Sequence, residues 1–96
     1  MSAAKKNSVV KTVRVVNPEG LHARPCHSVV SLVREFDAEL RVANGSHSVN
    51  GRSILELMTL EASVGTELEL SASGEDASAL VEALCGLISA GFAEND

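Results

Sequence analysis

Gly20-Leu21-His22-Ala23-Arg24-Pro25 brings an imidazole, a guanidinium and a proline together directly after the turn-forming run Asn17-Pro18-Glu19-Gly20. From about Ala23 the apolar residues adopt helical spacing, with Cys26, Val29, Val30, Val33 and Phe36 on one stripe. Pro25 then falls in the first helical turn, where a missing N–H costs nothing. The opening turn of a helix has unpaired N–H groups and roughly half a positive charge, which favours an anion there. Arg24 adds a permanent charge and a fork of donors suited to phosphate oxygens. A positive helix end disfavours a second positive charge, so His22 is expected to present a lone pair. Together these groups suit a transient phosphohistidine: the ring nitrogen attacks, the helix start receives the dianion, and a partner supplies the donor. His-x-Arg is a short pattern, and on spacing alone an ordinary helix-entry histidine beside a solvated arginine is the commoner explanation.

Other polar residues give plainer readings. Ser53-Ile54-Leu55-Glu56 has the form of a capping box, with the hydroxyl capping a helix and Glu56 reaching back to the Ser53 N–H. Cys26, four residues after His22, invites a thiol–imidazole pair, but it lies on the apolar stripe and reads as a small buried residue. Two ligands do not make a metal site, and no metal or cofactor is expected. His27 reads as a surface residue and His47 as part of a hairpin strand.

The elements that must position these groups follow from periodicity. Val9–Val16 reads as a strand with Val13 and Val15 on one face, opposite Thr12 and Arg14. Ala38–Val42 alternates, Asn44-Gly45 is a two-residue hairpin pair, and Ser46–Val49 is the return strand. After Asn50-Gly51 a short helix is expected over Ser53–Leu60, with Ile54, Leu57 and Met58 on its buried side. Glu67–Leu70 alternates as a strand. Ala77–Ser89 is a helix with Leu80, Leu84, Leu87 and Ile88 on one face, acids at its entry and Gly91 as its stop. The order β-α-β-β-α-β-α, with charged and aliphatic strand faces, implies a four-stranded antiparallel sheet covered on one side by three helices. The fold class is α+β, a two-layer open-faced sandwich. Residues 1–8 are expected to be a loose arm and 9–96 a single domain.

Composition narrows the functions. The chain has 96 residues, 45% apolar and 22% charged, with a formal net charge of −5. Two Phe and no Tyr or Trp leave little for stacking on bases, and the acidic balance disfavours a phosphate backbone, so no nucleic acid is expected. The eight Lys and Arg all lie within residues 1–52, giving that part +4, while residues 53–96 carry −9. Such a division could place an anion site at one end of a single fold. Cys26 and Cys85 make no disulfide framework, no apolar run approaches a membrane span, and Met1–Lys6 lacks a secretory apolar stretch. A cytoplasmic protein with free thiols and no membrane partner is expected.

The motif around His22 resembles the active-site signature of HPr, the histidine-containing phosphocarrier of the phosphoenolpyruvate-dependent sugar phosphotransferase system. Asn50-Gly51-Arg52-Ser53-Ile54-Leu55 with Leu57-Met58-Thr59-Leu60 resembles the family's second signature, around a regulatory serine. Glu69-Leu70-Ser71-Ala72-Ser73-Gly74 resembles its last strand and turn. The resemblance implies that His22 accepts a phosphoryl group on Nδ1 from enzyme I and passes it to enzyme IIA. It implies that Arg24 and the helix-entry amides of Ala23 and Arg24 hold the phosphate, and that Ser53 is a substrate of HPr kinase/phosphorylase. It further implies a partner-binding patch at Ile54, Leu55 and Met58, and a monomeric carrier rather than an enzyme. Glu56 and Ser31 stand where relatives place neutral or basic residues, which bears on partner choice. The alternatives are a carrier in a regulatory, for example nitrogen-related, phosphorelay, a non-catalytic interaction module, and a hydrolase built on Cys26 and His22.

Overall fold

The computed structural model describes residues 8–93. The chain runs through β1 (Ser8–Arg14), α1 (Ala23–Val33), β2 (Glu39–Asn44), β3 (His47–Asn50), α2 (Ile54–Met58), β4 (Glu67–Ser73) and α3 (Ala77–Ser89). The strands pair antiparallel in the order β1-β4-β2-β3, so the last strand slots between the first and second. The period-2 alternation sends Val13, Leu40, Val42, Val49, Leu68, Leu70 and Ala72 to one face of the sheet. Val29 and Val33 of α1, Leu57 of α2, and Leu80, Val81, Leu84 and Ile88 of α3 complete the core. Thr12, Arg14, Glu39, Arg41, Glu67 and Glu69 remain on the solvent face. The α+β open-faced sandwich is therefore present, with three helices on one side of a four-stranded antiparallel sheet.

Several boundaries move. Ser8 pairs with Ser73 in β1 rather than belonging to an arm, and residues 1–7 of that expected arm lie outside the described residues. β1 stops at Arg14: Val15 is buried but exchanges single bonds with the loop (Val15 N–H to Thr66 O, 2.9 Å; Gly65 N–H to Val15 O, 2.7 Å), and Val16 is exposed. The hairpin turns on Gly45-Ser46, one position later than expected, because Asn44 still pairs with His47. Gly45 takes φ +64°, and the Asn44 amide instead donates to Leu60 O at 3.0 Å. α2 ends at Met58 rather than Leu60: the N–H groups of Thr59, Leu60 and Glu61 step to carbonyls three residues back, and Glu61 turns to φ 49°. α3 covers the expected residues. At its start Asp76 accepts the Asp37 N–H on Oδ2 (2.7 Å) and donates its own N–H to Asp37 O (3.0 Å), joining the turn after α1 to α3.

Candidate functional site

Asn17, 2% exposed, organises the approach to His22. Its carbonyl accepts the Gly20 N–H (3.1 Å), and its side-chain amide donates to Gly20 O (2.8 Å). Gly20 takes φ +70°, and a Cβ there would collide with the carbonyl of Ala62, so only glycine fits. Leu21 is buried and donates to Ala62 O at 2.9 Å, and the His22 N–H donates to Gly20 O at 3.0 Å. The loop is thus held against the segment after α2 before the helix begins.

His22 is the N-cap of α1, with extended backbone (φ −98°, ψ −168°) and no cap bond from its side chain. The Cys26 N–H donates to His22 O at 3.1 Å, the first bond of the helix. Of the three residues between, Pro25 has no N–H to offer. The N–H groups of Ala23 and Arg24 have no acceptor among the described residues, and both residues are exposed. They are the open donors of this helix start, next to an imidazole and a guanidinium. Arg24 makes no ion pair among the described residues. The imidazole itself is half-buried rather than fully open, and its Nε2 atom is closed off from solvent.

Cys26 is fully buried on the inner side of α1, and desolvation pushes its thiol up to about 11. A buried, protonated thiol cannot be a nucleophile at neutral pH, so the Cys26–His22 hydrolase reading fails. Among the described residues no cluster of three or more His, Cys, Asp or Glu is arranged to hold a metal ion.

The second site forms at the start of α2. Ser53 is the N-cap, and its Oγ accepts the Glu56 N–H at 3.1 Å. The reciprocal half of the capping box differs from expectation. Glu56 Oε1 accepts the Asn50 N–H at 3.0 Å, because the Ser53 N–H is already donated to Asn50 O (3.2 Å). The carboxylate therefore fastens the turn before the helix rather than the cap residue.

Beyond the cap, Leu55 is 78% exposed and Met58 39% exposed, while Ile54 is half-buried against the core. Met58 was expected inside. A five-residue helix presents little inward surface, and Leu57 and the following Leu60 take it. Leu55 and Met58 thus form an apolar surface on α2, which packs beside α1. His27 is exposed as expected. His47 bonds through Nε2 to Thr59 Oγ1 (2.9 Å), and that hydroxyl donates to Glu56 O (2.6 Å), so Nε2 is the donor. His47 therefore fastens the hairpin to the end of α2. Sequence reading treated Asn17 only as part of a turn; its signal was an asparagine three residues before the glycine that leads into the histidine motif.

A family model described as PTS HPr component phosphorylation site matches residues 9–90. The chain is 40% identical to a phosphocarrier protein HPr of Treponema pallidum, over 90% of this chain and 98% of that one. It is 37% identical to a phosphocarrier protein NPr of Shewanella violacea, over 88% of this chain and 92% of the relative. Among solved structures, HPr from Thermoanaerobacter tengcongensis superimposes with a TM-score of 0.86 at 34% identity, covering 92% of this chain and 99% of that one.

Proposed function

This chain belongs to the HPr family and is a phosphocarrier of the phosphotransferase system, a carrier rather than an enzyme, and we propose that His22 bears its phosphoryl group. Phospho-enzyme I, charged from phosphoenolpyruvate, is the donor and an enzyme IIA domain the acceptor. The lone pair of Nδ1 attacks phosphorus; the N–P bond forms as the donor's bond to phosphorus breaks, and that bond's electron pair leaves with the donor. The ring's remaining proton must then reside on Nε2. The enclosure of Nε2 supports Nδ1 as the attacking atom. The open N–H groups of Ala23 and Arg24 and the exposed Arg24 guanidinium receive the phosphate oxygens, matching the charge that the group carries. Enzyme IIA later attacks the same phosphorus, and Nδ1 recovers its pair.

The single observation that carries this reading is the conjunction of His22 with two unspent amides at one helix start. The experiment is phosphorus NMR of the protein incubated with phosphoenolpyruvate and enzyme I. An acid-labile phosphoramidate is expected in the wild type and none in His22→Ala. A non-catalytic interaction module predicts instead that His22→Ala keeps full function.

Leu55, with Met58 and Ile54, is the apolar contact for these partners, a small surface compatible with rapid release. Ser53 is the regulatory position for an HPr kinase/phosphorylase. A phosphate there would forfeit the cap on Glu56 N–H and set a dianion beside Glu56 and Leu55, which penalises docking on that surface. The carrier works as a monomer in the cytoplasm, without a cofactor. Among the described residues no helix is long and apolar enough to cross a membrane. Likeness to a protein named NPr also supports service in a regulatory phosphorelay. Offering the phosphorylated protein to candidate enzyme IIA domains separates this from sugar uptake by which acceptor becomes labelled.

A further inference from the structure

We infer that Asn17 is a positioning residue for phosphoryl transfer, one that sets His22 and the open helix start in register through the Gly20 carbonyl. The role rests on the proposed phosphorylation of His22. Asn17 is the one buried polar side chain among the described residues, and it lies at the base of the loop that delivers the imidazole. Its side-chain amide donates to Gly20 O at 2.8 Å, and the same oxygen accepts the His22 N–H at 3.0 Å. One carbonyl therefore links the buried amide to the backbone of the reacting residue. The Gly20 N–H returns to Asn17 O at 3.1 Å, closing the loop upon itself.

The loop is held from one side by Ala62 and from the other by Asn17. Leu21 N–H to Ala62 O holds the strand-like step before the histidine, and Gly20 lies too close to Ala62 to admit a Cβ. The peptide plane between Gly20 and Leu21 carries both the shared carbonyl and the Leu21 N–H, so the Asn17 amide holds it at one edge and Ala62 O at the other. Rotation of that plane breaks the His22 N–H bond and turns the residue whose ring must meet phosphorus in line. Transfer chemistry is sensitive to such displacement, since about 1 Å of misplacement can cost on the order of a hundredfold in rate. On the far side, Asn17 Cβ and Val16 Cγ2 each lie 3.8 Å from where a Cβ on Gly91 would stand. The left-handed residues Gly91, Phe92 and Ala93 follow α3 there, with Phe92 buried. The backbone after α3 therefore passes close to the Asn17 Cβ.

The test uses the full chain with phospho-enzyme I regenerated from phosphoenolpyruvate, and compares Asn17→Ala with Asn17→Asp, which keeps the volume but loses the donor. Both variants are expected to slow the maximal rate of His22 phosphorylation about tenfold while leaving KM for phospho-enzyme I unchanged. Amide exchange at His22 should quicken by a similar factor, read without any phosphoryl transfer. Asn17→Ser, smaller but with a hydroxyl donor, should fall between wild type and Asn17→Ala, and keeps the test available should the other two fold poorly. A merely structural role would lower Tm in all three and leave the maximal rate of the folded fraction intact, which overturns the proposal. Equal His22 exchange in wild type and variants overturns it too. A wild type that takes no phosphate at His22 overturns the carrier site and this role together, whereas a labelled wild type matched by equally fast variants overturns the role alone.

Discussion

The helices α1 and α2 each begin with a polar N-cap, and they use it in different ways. At α2, Ser53 Oγ accepts the Glu56 N–H and Glu56 in turn accepts the Asn50 N–H, so side chains of the helix start fasten its third donor and the turn before it. At α1, His22 caps nothing with its side chain, Pro25 removes one donor, and the Ala23 and Arg24 amides stay open. A start capped by its own side chain contributes stability. An open start forgoes that stability and keeps its donors for a ligand. The cost of leaving α1 open is offset by the loop before it, where Asn17, Gly20 and Leu21 are all pinned.

The sharpest way to break this contrast is His22→Ala, which should abolish acid-labile phosphate. Arg24→Ala should slow phosphoryl transfer by about a hundredfold, the lower end of what one charge-stabilising donor contributes, with unchanged stability because the side chain is exposed. Ser53→Ala should do the reverse: a loss of about 1 kcal/mol in denaturant unfolding, with His22 phosphorylation at the wild-type rate. If Ser53→Ala left stability untouched, α2 would be no better capped than α1.

Cys26 sharpens the comparison from beneath α1. Its pKa in the folded chain is raised by burial from 9.0 to about 11, so the folded state holds that proton more tightly than the unfolded state. Its contribution is complete below pH 9 and is lost as pH rises from 9.0 towards about 11, seen as a falling unfolding free energy that Cys26→Ala does not show. At neutral pH the smallest effect is expected: no labelling of native Cys26 by a thiol reagent, and labelling once the chain unfolds.

What could be read from the chain follows from how local each cause is. The helix over Ala77–Ser89 and the alternation at Leu40–Val42 and Leu68–Leu70 are written in short-range periodicity, and they appear where periodicity puts them. The His22-Arg24-Pro25 motif is equally local, since a turn, a proline and a helix start lie within adjacent residues. The errors fall where distant groups compete for the same backbone. The Asn50 turn takes the Glu56 carboxylate, and the Asn44 side chain leaves its hairpin for Leu60 O. Met58 is outside because Leu57 and Leu60 fill the space beneath so short a helix.

Amino-acid order alone determined the two-layer class, the element succession and the presence of a histidine with a free-donor helix beside it, because hydrophobic period and proline geometry act within a few residues. Only the tertiary structure decided that Nε2 of that histidine is enclosed, that Met58 turns outward, and that a buried asparagine holds the loop. Those are matters of which atoms exclude water from which others, and residues far apart in the chain settle them by packing.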